Sequence, residues 1–156
     1  MFSDADVQRL YEFKAALDAI FDIDLALNKQ ASADNVRGDA DAFAARRALD
    51  HDLDTYWATD DAMTTGTLEV DLGAPTTFNV VRIQEPVALG QRVKAYRVEA
   101  WDGEAWQTIS RGTTVGHKKL DRVETVTAQR VRLVVEQARA CPLIAEFGLH
   151  LDPRGS

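Results

Sequence analysis

Residues 48–57 read Ala-Leu-Asp-His-Asp-Leu-Asp-Thr-Tyr-Trp, and residues 144–149, far downstream, read Ile-Ala-Glu-Phe-Gly-Leu. The first segment sets carboxylates at alternate positions (Asp50, Asp52, Asp54), places the hydroxyl of Thr55 beside them, and stops at a large aromatic. A hard cation such as calcium asks this of a loop, because it gathers roughly six to eight oxygen ligands. The same ten residues also read as a helix C-terminus followed by a solvated acidic turn. Glu146 tips the balance. It is one carboxylate in an otherwise apolar strand pattern, and a buried carboxylate needs a partner or a metal. A chain that uses both segments must fold so that its C-terminal part meets the acidic loop.

The 156 residues suit one domain, able to bury roughly two-thirds of its unfolded surface. Apolar residues at 46% and charged residues at 28% are usual for a soluble globular chain. A net charge of −7 argues against nucleic acid and anionic membrane surfaces, both of which call for a basic stripe. No run of apolar residues is long enough to span a bilayer. The first six residues lack a basic start and an apolar core, so they are not read as a signal peptide. Cys141 is the only cysteine, which excludes an internal disulfide and fixes no compartment.

Near the N-terminus, Ser3 can cap a helix, with Asp4 and Asp6 at its positive end. Val7, Leu10, Phe13, Leu17, Ile20 and Phe21 then recur at helical spacing. From Leu25 the pattern changes to period two. Leu68, Val70 and Leu72 alternate with Glu69 and Asp71; residues 78–83, 96–101, 131–135 and 144–151 add further strands. Asp102-Gly103 lies between two strand-like runs, a hairpin signal. Many short strands joined by Gly, Asp and Thr turns indicate a sandwich or jelly roll. Arg154-Gly155-Ser156 carries no structural signal and reads as a cloning remnant.

The Ala-Leu-Asp-x-Asp-x-x-Thr-x-Trp run, Leu68-Glu69-Val70-Asp71-Leu72-Gly73 and Glu146-Phe147-Gly148-Leu149 together resemble the discoidin, or coagulation factor five/eight (F5/8) type C, domain. Tyr56-Trp57-Ala58-Thr59, Leu89-Gly90-Gln91-Arg92-Val93, Glu99-Ala100-Trp101-Asp102-Gly103 and Ala138-Arg139-Ala140-Cys141-Pro142 are similar to the C-terminal module of bacterial α-L-fucosidases of the retaining family. The resemblance implies an all-β, galactose-binding-like jelly-roll β-sandwich over residues 25–153 with an appended N-terminal α-helix and its linker over residues 1–24. In such fucosidases a helix of this kind closes the catalytic barrel, and parents of this kind are often secreted or periplasmic. Detached from a barrel, its stripe (Leu10, Phe13, Leu17, Ile20, Phe21) is expected to seek another surface, including a homodimer.

The resemblance also implies the function: a non-catalytic accessory module of an α-L-fucosidase, a glycoside hydrolase, acting as a weak carbohydrate-binding module or buttressing the catalytic barrel. A discoidin-type protein-interaction domain is the alternative. It implies one structural calcium held by Asp50, Asp52, Thr55 and Glu146, helped by backbone carbonyls near Ala48. His51 stands where the family usually has Gly; if the position needs a positive φ, His is a strained but permitted occupant. Its side chain is otherwise read as an exposed loop group and not a ligand. Related sugar-binding modules carry a His after the Trp and an Arg in a later loop. Here those positions are Ala58 and about Glu85, so galactose recognition is not expected.

The remaining candidates for sugar or interface contact are Glu85, Gln91, Arg92, Trp101 and Trp106. Pairing of the Glu85, Gln91 and Arg92 cluster with a catalytic domain is slightly preferred over sugar. Trp57 is read as core. Trp101 and Trp106, five residues apart, are expected on opposite faces of a straight hairpin, one in the core and one covering the surface. Asp60, Asp61 and Glu85 do not make a convincing hydrolase pair. His117 and His150 stand alone, read as surface or strand-edge residues, and no nucleophile, phosphate-loop or zinc pattern is present. The chain itself is therefore not read as an enzyme.

Overall fold

The computed structural model describes residues 23–52, 54–116 and 118–153. The alternation that begins at Leu68 continues much further than the sequence pattern implies. Strands expected over residues 68–72 and 78–83 are one bent strand, β3 (Gly66–Gln84), following β1 (Gln30–Ala33) and the two-residue β2 (Trp57–Ala58). After β3 come β4 (Val93–Trp101), β5 (Trp106–Gly112), β6 (Lys119–Ala138), β7 (Leu143–Ile144) and β8 (Glu146–His150). The main sheet runs β1-β3-β6-β4-β5 with β8 also on β3, and β2 pairs with β7 in a second, small sheet. All these pairings are antiparallel.

β3 and β6 bend because their register shifts twice, between Asp71 and Thr76 and between Phe78 and Val80. Extra residues on one strand of an antiparallel pair kink it and increase its twist, here on β3 at the first shift and on β6 at the second. The first shift contains Gly73, whose φ is +83, and Pro75, which has no N–H to give a ladder. The first half of β3 thus lies between β1 and β6, and the second half meets β8. Inward side chains of β3, β4, β6 and β8 form the core: Leu68, Val70, Phe78, Val81, Ile83, Val98, Leu133, Phe147 and Leu149 are all fully buried. Among the described residues the helical segments are short 3-10 turns, so the architecture is mostly β and consistent with the expected jelly-roll sandwich.

β8 is buried at all five positions, which explains why it shows no period-two alternation. His150 is correspondingly not a surface residue: it is 0% exposed and its Nδ1 lies 2.8 Å from the Ile23 carbonyl. The helix expected over residues 1–24 lies outside the described residues except for Ile23 and Asp24, which are not helical; the homodimer contact expected of its stripe lies outside them too. So do His117 and residues 154–156.

Trp57 is core, as its position predicts, at 0% exposure, with Nε1 donating to the Asn35 carbonyl at 3.0 Å. Its ring sits against Gly66, where any Cβ would come within 3.0 Å of it. Trp57→Ala should therefore cost about 4 kcal/mol by opening a large cavity beside the acidic loop. Urea denaturation would measure the loss.

Candidate functional site

The acidic loop begins where Ala48 and Leu49, both 0% exposed, pin the end of a short turn to the core. Asp50 then organises the loop from within. Its Oδ1 accepts the Asp52 amide at 3.0 Å and its Oδ2 accepts the Thr55 hydroxyl at 2.5 Å. The Asp52 carbonyl accepts both the amide and the hydroxyl of Thr55, at 3.2 and 3.1 Å. His51 adopts φ +57, the left-handed conformation that the sequence reading associated with Gly at this position. Its ring is not a loose loop group, since Nε2 lies 2.7 Å from Asp24 Oδ2.

Asp24 is a hub that sequence reasoning missed. Its side chain is fully buried; Oδ1 accepts the amides of Ala26 at 2.9 Å and Leu149 at 3.0 Å. Arg82 Nη2, from β3, lies 3.5 Å from Asp24 Oδ2, 3.2 Å from His51 Nε2 and 3.8 Å from Glu146 Oε2. β8 can pass beneath this group only as glycine. A Cβ on Gly148 would sit 3.0 Å from both Arg82 Nη2 and Asp24 Oδ2.

Glu146 is 2% exposed, and among the described residues neither of its carboxylate oxygens has a hydrogen-bond partner; Arg82 Nε also has none. Burial pushes its carboxyl up from the ordinary 4.5 to about 8, opposed by Arg82 and reinforced by the nearby charges of Asp50, Asp24 and Asp52. The charges of Asp50 and Asp52, on the acidic loop, thus reach Glu146. Ligand atoms of Asp24, His51 and Glu146 also lie within 4.8 Å of one another. Arg82 sets its guanidinium against that trio.

The sugar and interface candidates fare differently. Glu85 is 3% exposed: Oε2 accepts the amides of Arg92 at 2.7 Å and Val93 at 3.3 Å, and Oε1 accepts that of Gly116 at 2.9 Å. It is an internal clamp between two loops. Arg92 reaches Cys141, donating from Nη1 to the carbonyl at 3.2 Å and to Sγ at 3.1 Å, while Gln91 is exposed. Trp101 and Trp106 are direct cross-strand partners, so they share one face, with ring centroids 5.4 Å apart. The opposite-face expectation counted period two through the turn, whereas residues facing each other across a hairpin point the same way. Both are half-buried, so neither is the core member of a core-and-cover pair. Arg132 lies 4.2 Å from the Trp106 ring centroid, and Arg130 lies 5.6 Å and 5.8 Å from those of Trp106 and Trp101.

With this geometry in place, comparison with known proteins identifies the family. Residues 28–147 match the F5/8 type C domain. The chain belongs to that family. It is 38% identical over 154 residues to a putative α-L-fucosidase 1 of Oryza sativa subsp. japonica, a match covering 97% of the chain and 30% of the relative. The Arabidopsis thaliana α-L-fucosidase 1 is 34% identical, covering 97% and 31%. The chain therefore spans about a third of the length of these curated relatives. Among solved structures, a GH29 fucosidase from Ruminococcus gnavus in complex with fucose superposes with a TM-score of 0.88 at 32% identity, over 97% of this chain and 31% of that one. A chitosan-binding module from a Paenibacillus chitosanase/glucanase superposes at 0.72 and 25% identity, over 82% of this chain and 98% of that one.

In this F5/8 type C domain, Arg82 was detectable in principle as the one cation in Val80-Val81-Arg82-Ile83. Asp24 carried no comparable signal. Two measurements check the site. Glu146 holds its proton in the fold up to about pH 8 but would lose it near 4.5 once unfolded. The folded state then binds more protons across that window, so in chelator stability should fall as pH rises from 4.5 to about 8, and Glu146→Gln should flatten the profile. Glu85→Ala strands three amides and should cost about 3 kcal/mol, read by thermal melting.

Proposed function

We propose that this chain is a non-catalytic accessory module of an α-L-fucosidase that binds carbohydrate weakly and uses one calcium ion as a structural cofactor. One observation carries the reading: nearly the whole chain aligns with part of two α-L-fucosidases, while the same fold superposes on almost the full length of a chitosan-binding module derived from a chitosanase/glucanase. The described residues support a non-catalytic role. Glu85 is consumed by backbone amides. Asp60 accepts from Gly38 N and Asn35 Nδ2, which hold its carboxyl below the usual carboxylate range. Neither is poised for proton transfer.

The charge around Glu146 supports the calcium part of this reading. Glu146 presents two buried oxygens without hydrogen bonds toward a loop already rich in carboxylate, and neutralising that charge is what a divalent cation supplies. Asp50 and Glu146 would contribute carboxylates, and Asp52 and Thr55 further oxygens. A ligand that binds only the folded state adds about 2.7 kcal/mol at a hundredfold excess over Kd. Calcium should raise the melting temperature, chelator should lower it, and Glu146→Gln should abolish the difference; an indifferent melting curve would remove calcium from the proposal.

The fold leaves little for a strong sugar site. Ala58 is 0% exposed and Glu85 points inward, so the positions where related modules carry His and Arg supply no surface donor. Binding through a few exposed contacts gains little beyond the cost of association, which sets affinities at about millimolar. Calorimetric or chemical-shift titration with galactose, fucose and fucosylated oligosaccharides, with and without calcium, tests this. Micromolar galactose binding would contradict the reading of the two missing donors. Silence with every glycan would favour a module that buttresses a catalytic barrel, or one that binds protein.

A further inference from the structure

Asp50 also lines a depression of about 590 Å³ whose rim includes Lys29, Arg46, Arg47, Asn28 and Gln30. In a chain of net charge −7, the meeting of three cationic side chains in one concavity is a local reversal of sign. Two of them are held in place. Asp41 bridges them, pairing with Arg46 Nη2 through Oδ1 and with Arg47 Nη2 through Oδ2 at 2.9 Å, while Arg47 Nε donates to the Asp41 carbonyl at 3.2 Å. One carboxylate shared by two guanidinium groups leaves a net positive charge and N–H donors beyond those the bridge consumes. Lys29 is brought opposite them by the turn before β1, in which Asn28 N donates to the Leu49 carbonyl at 2.9 Å and Lys29 N to that of Ala26 at 3.1 Å. The negative contribution of Asp50 is tempered because each of its oxygens accepts a hydrogen bond inside the acidic loop.

We propose that this depression is a subsite for an anionic substituent on a sugar, a sulfate ester or a carboxylate. The inference rests on the carbohydrate-binding reading above and narrows its ligand class. Guanidinium groups match planar or tetrahedral oxyanions through paired N–H donors, an ammonium adds a point charge, and the side-chain amides of Asn28 and Gln30 suit neighbouring hydroxyls. The acidic remainder of the surface disfavours extended polyanions and leaves the pocket to a single charged group.

Chemical-shift titration of the full chain with galactose 6-sulfate, galacturonate, galactose and sodium sulfate tests the proposal. Both anionic sugars, or one of them, should bind about tenfold or more tightly than galactose, shift the Lys29 and Arg47 resonances, and weaken as salt is added. Which of the two responds separates the ester from the carboxylate. Arg47→Gln should weaken the anionic sugar about tenfold. Lys29→Gln, at an exposed position, serves as the second variant should Arg47→Gln disturb folding. The proposal is overturned if galactose binds as well as its charged analogues, if the shifts fall elsewhere, or if inorganic sulfate alone matches the sugars. Neutral glycan binding at another face, unaffected by either variant, would overturn this subsite and preserve the accessory-module reading.

Discussion

Glu146 carries a carboxylate into the interior at the start of a strand that is buried at every position, and gives it no hydrogen bond among the described residues. An ionised carboxylate in that setting is unstable unless a positive charge lies beside it or it keeps a proton. Arg82 supplies part of the answer at 3.8 Å, yet Asp24 and the acidic loop press negative charge on the same point. Much of the architecture around it follows from that problem. β8 has to be glycine at 148 so that Arg82 and Asp24 can cross it, and the segment before β1 has to return to β8 so that Asp24 can cap Leu149. The acidic loop is therefore joined to the sandwich through charge as well as through the buried ring of Trp57.

Three carboxylates in this fold show how environment, not residue type, decides a role. Asp24 is buried and satisfied by two amides, a histidine and an arginine, so it acts as a structural tie. Glu85 is buried and satisfied by three amides, so it locks two loops and has nothing left for a ligand. Glu146 is equally buried and unsatisfied, which leaves it open to a cation. The same distinction governs the aromatics. Trp57 is enclosed, whereas Trp101 and Trp106 lie half-buried on the outer sheet face beneath Arg130 and Arg132. Arg132 is itself fixed by Glu99 at 2.7 Å, so a sugar stacking on Trp106 would compete with a held guanidinium.

The F5/8 type C fold places two chemically different regions next to each other through Asp50. On one side are the oxygen-rich loop and Glu146; on the other is the concavity of Lys29, Arg46 and Arg47. Both depend on the turn that ends at Ala48 and Leu49, because those two buried residues fix the backbone from which Arg46, Arg47 and Asp50 project. A cation bound at the first region would steady the frame of the second without touching its ligand.

Local chemistry determined much of this from the sequence alone. Period-two alternation at Leu68, Val70 and Leu72 specified a half-buried strand, Asp102-Gly103 specified the β4–β5 hairpin, and an aromatic directly after a polar loop specified a buried Trp57. The acidic loop and Glu146 stood out in the sequence because an isolated carboxylate in an apolar run has few physical explanations. Tertiary structure alone decided the rest. Two strands became one because bulges bend a strand without ending it, and no local signal marks such a bend. Trp101 and Trp106 fell on one face because pairing across a hairpin, not counting along it, sets orientation. Asp24, His51 and Arg82 are 27 to 58 residues apart in the sequence pairs that join them, so only the folded sheet could reveal that these side chains meet.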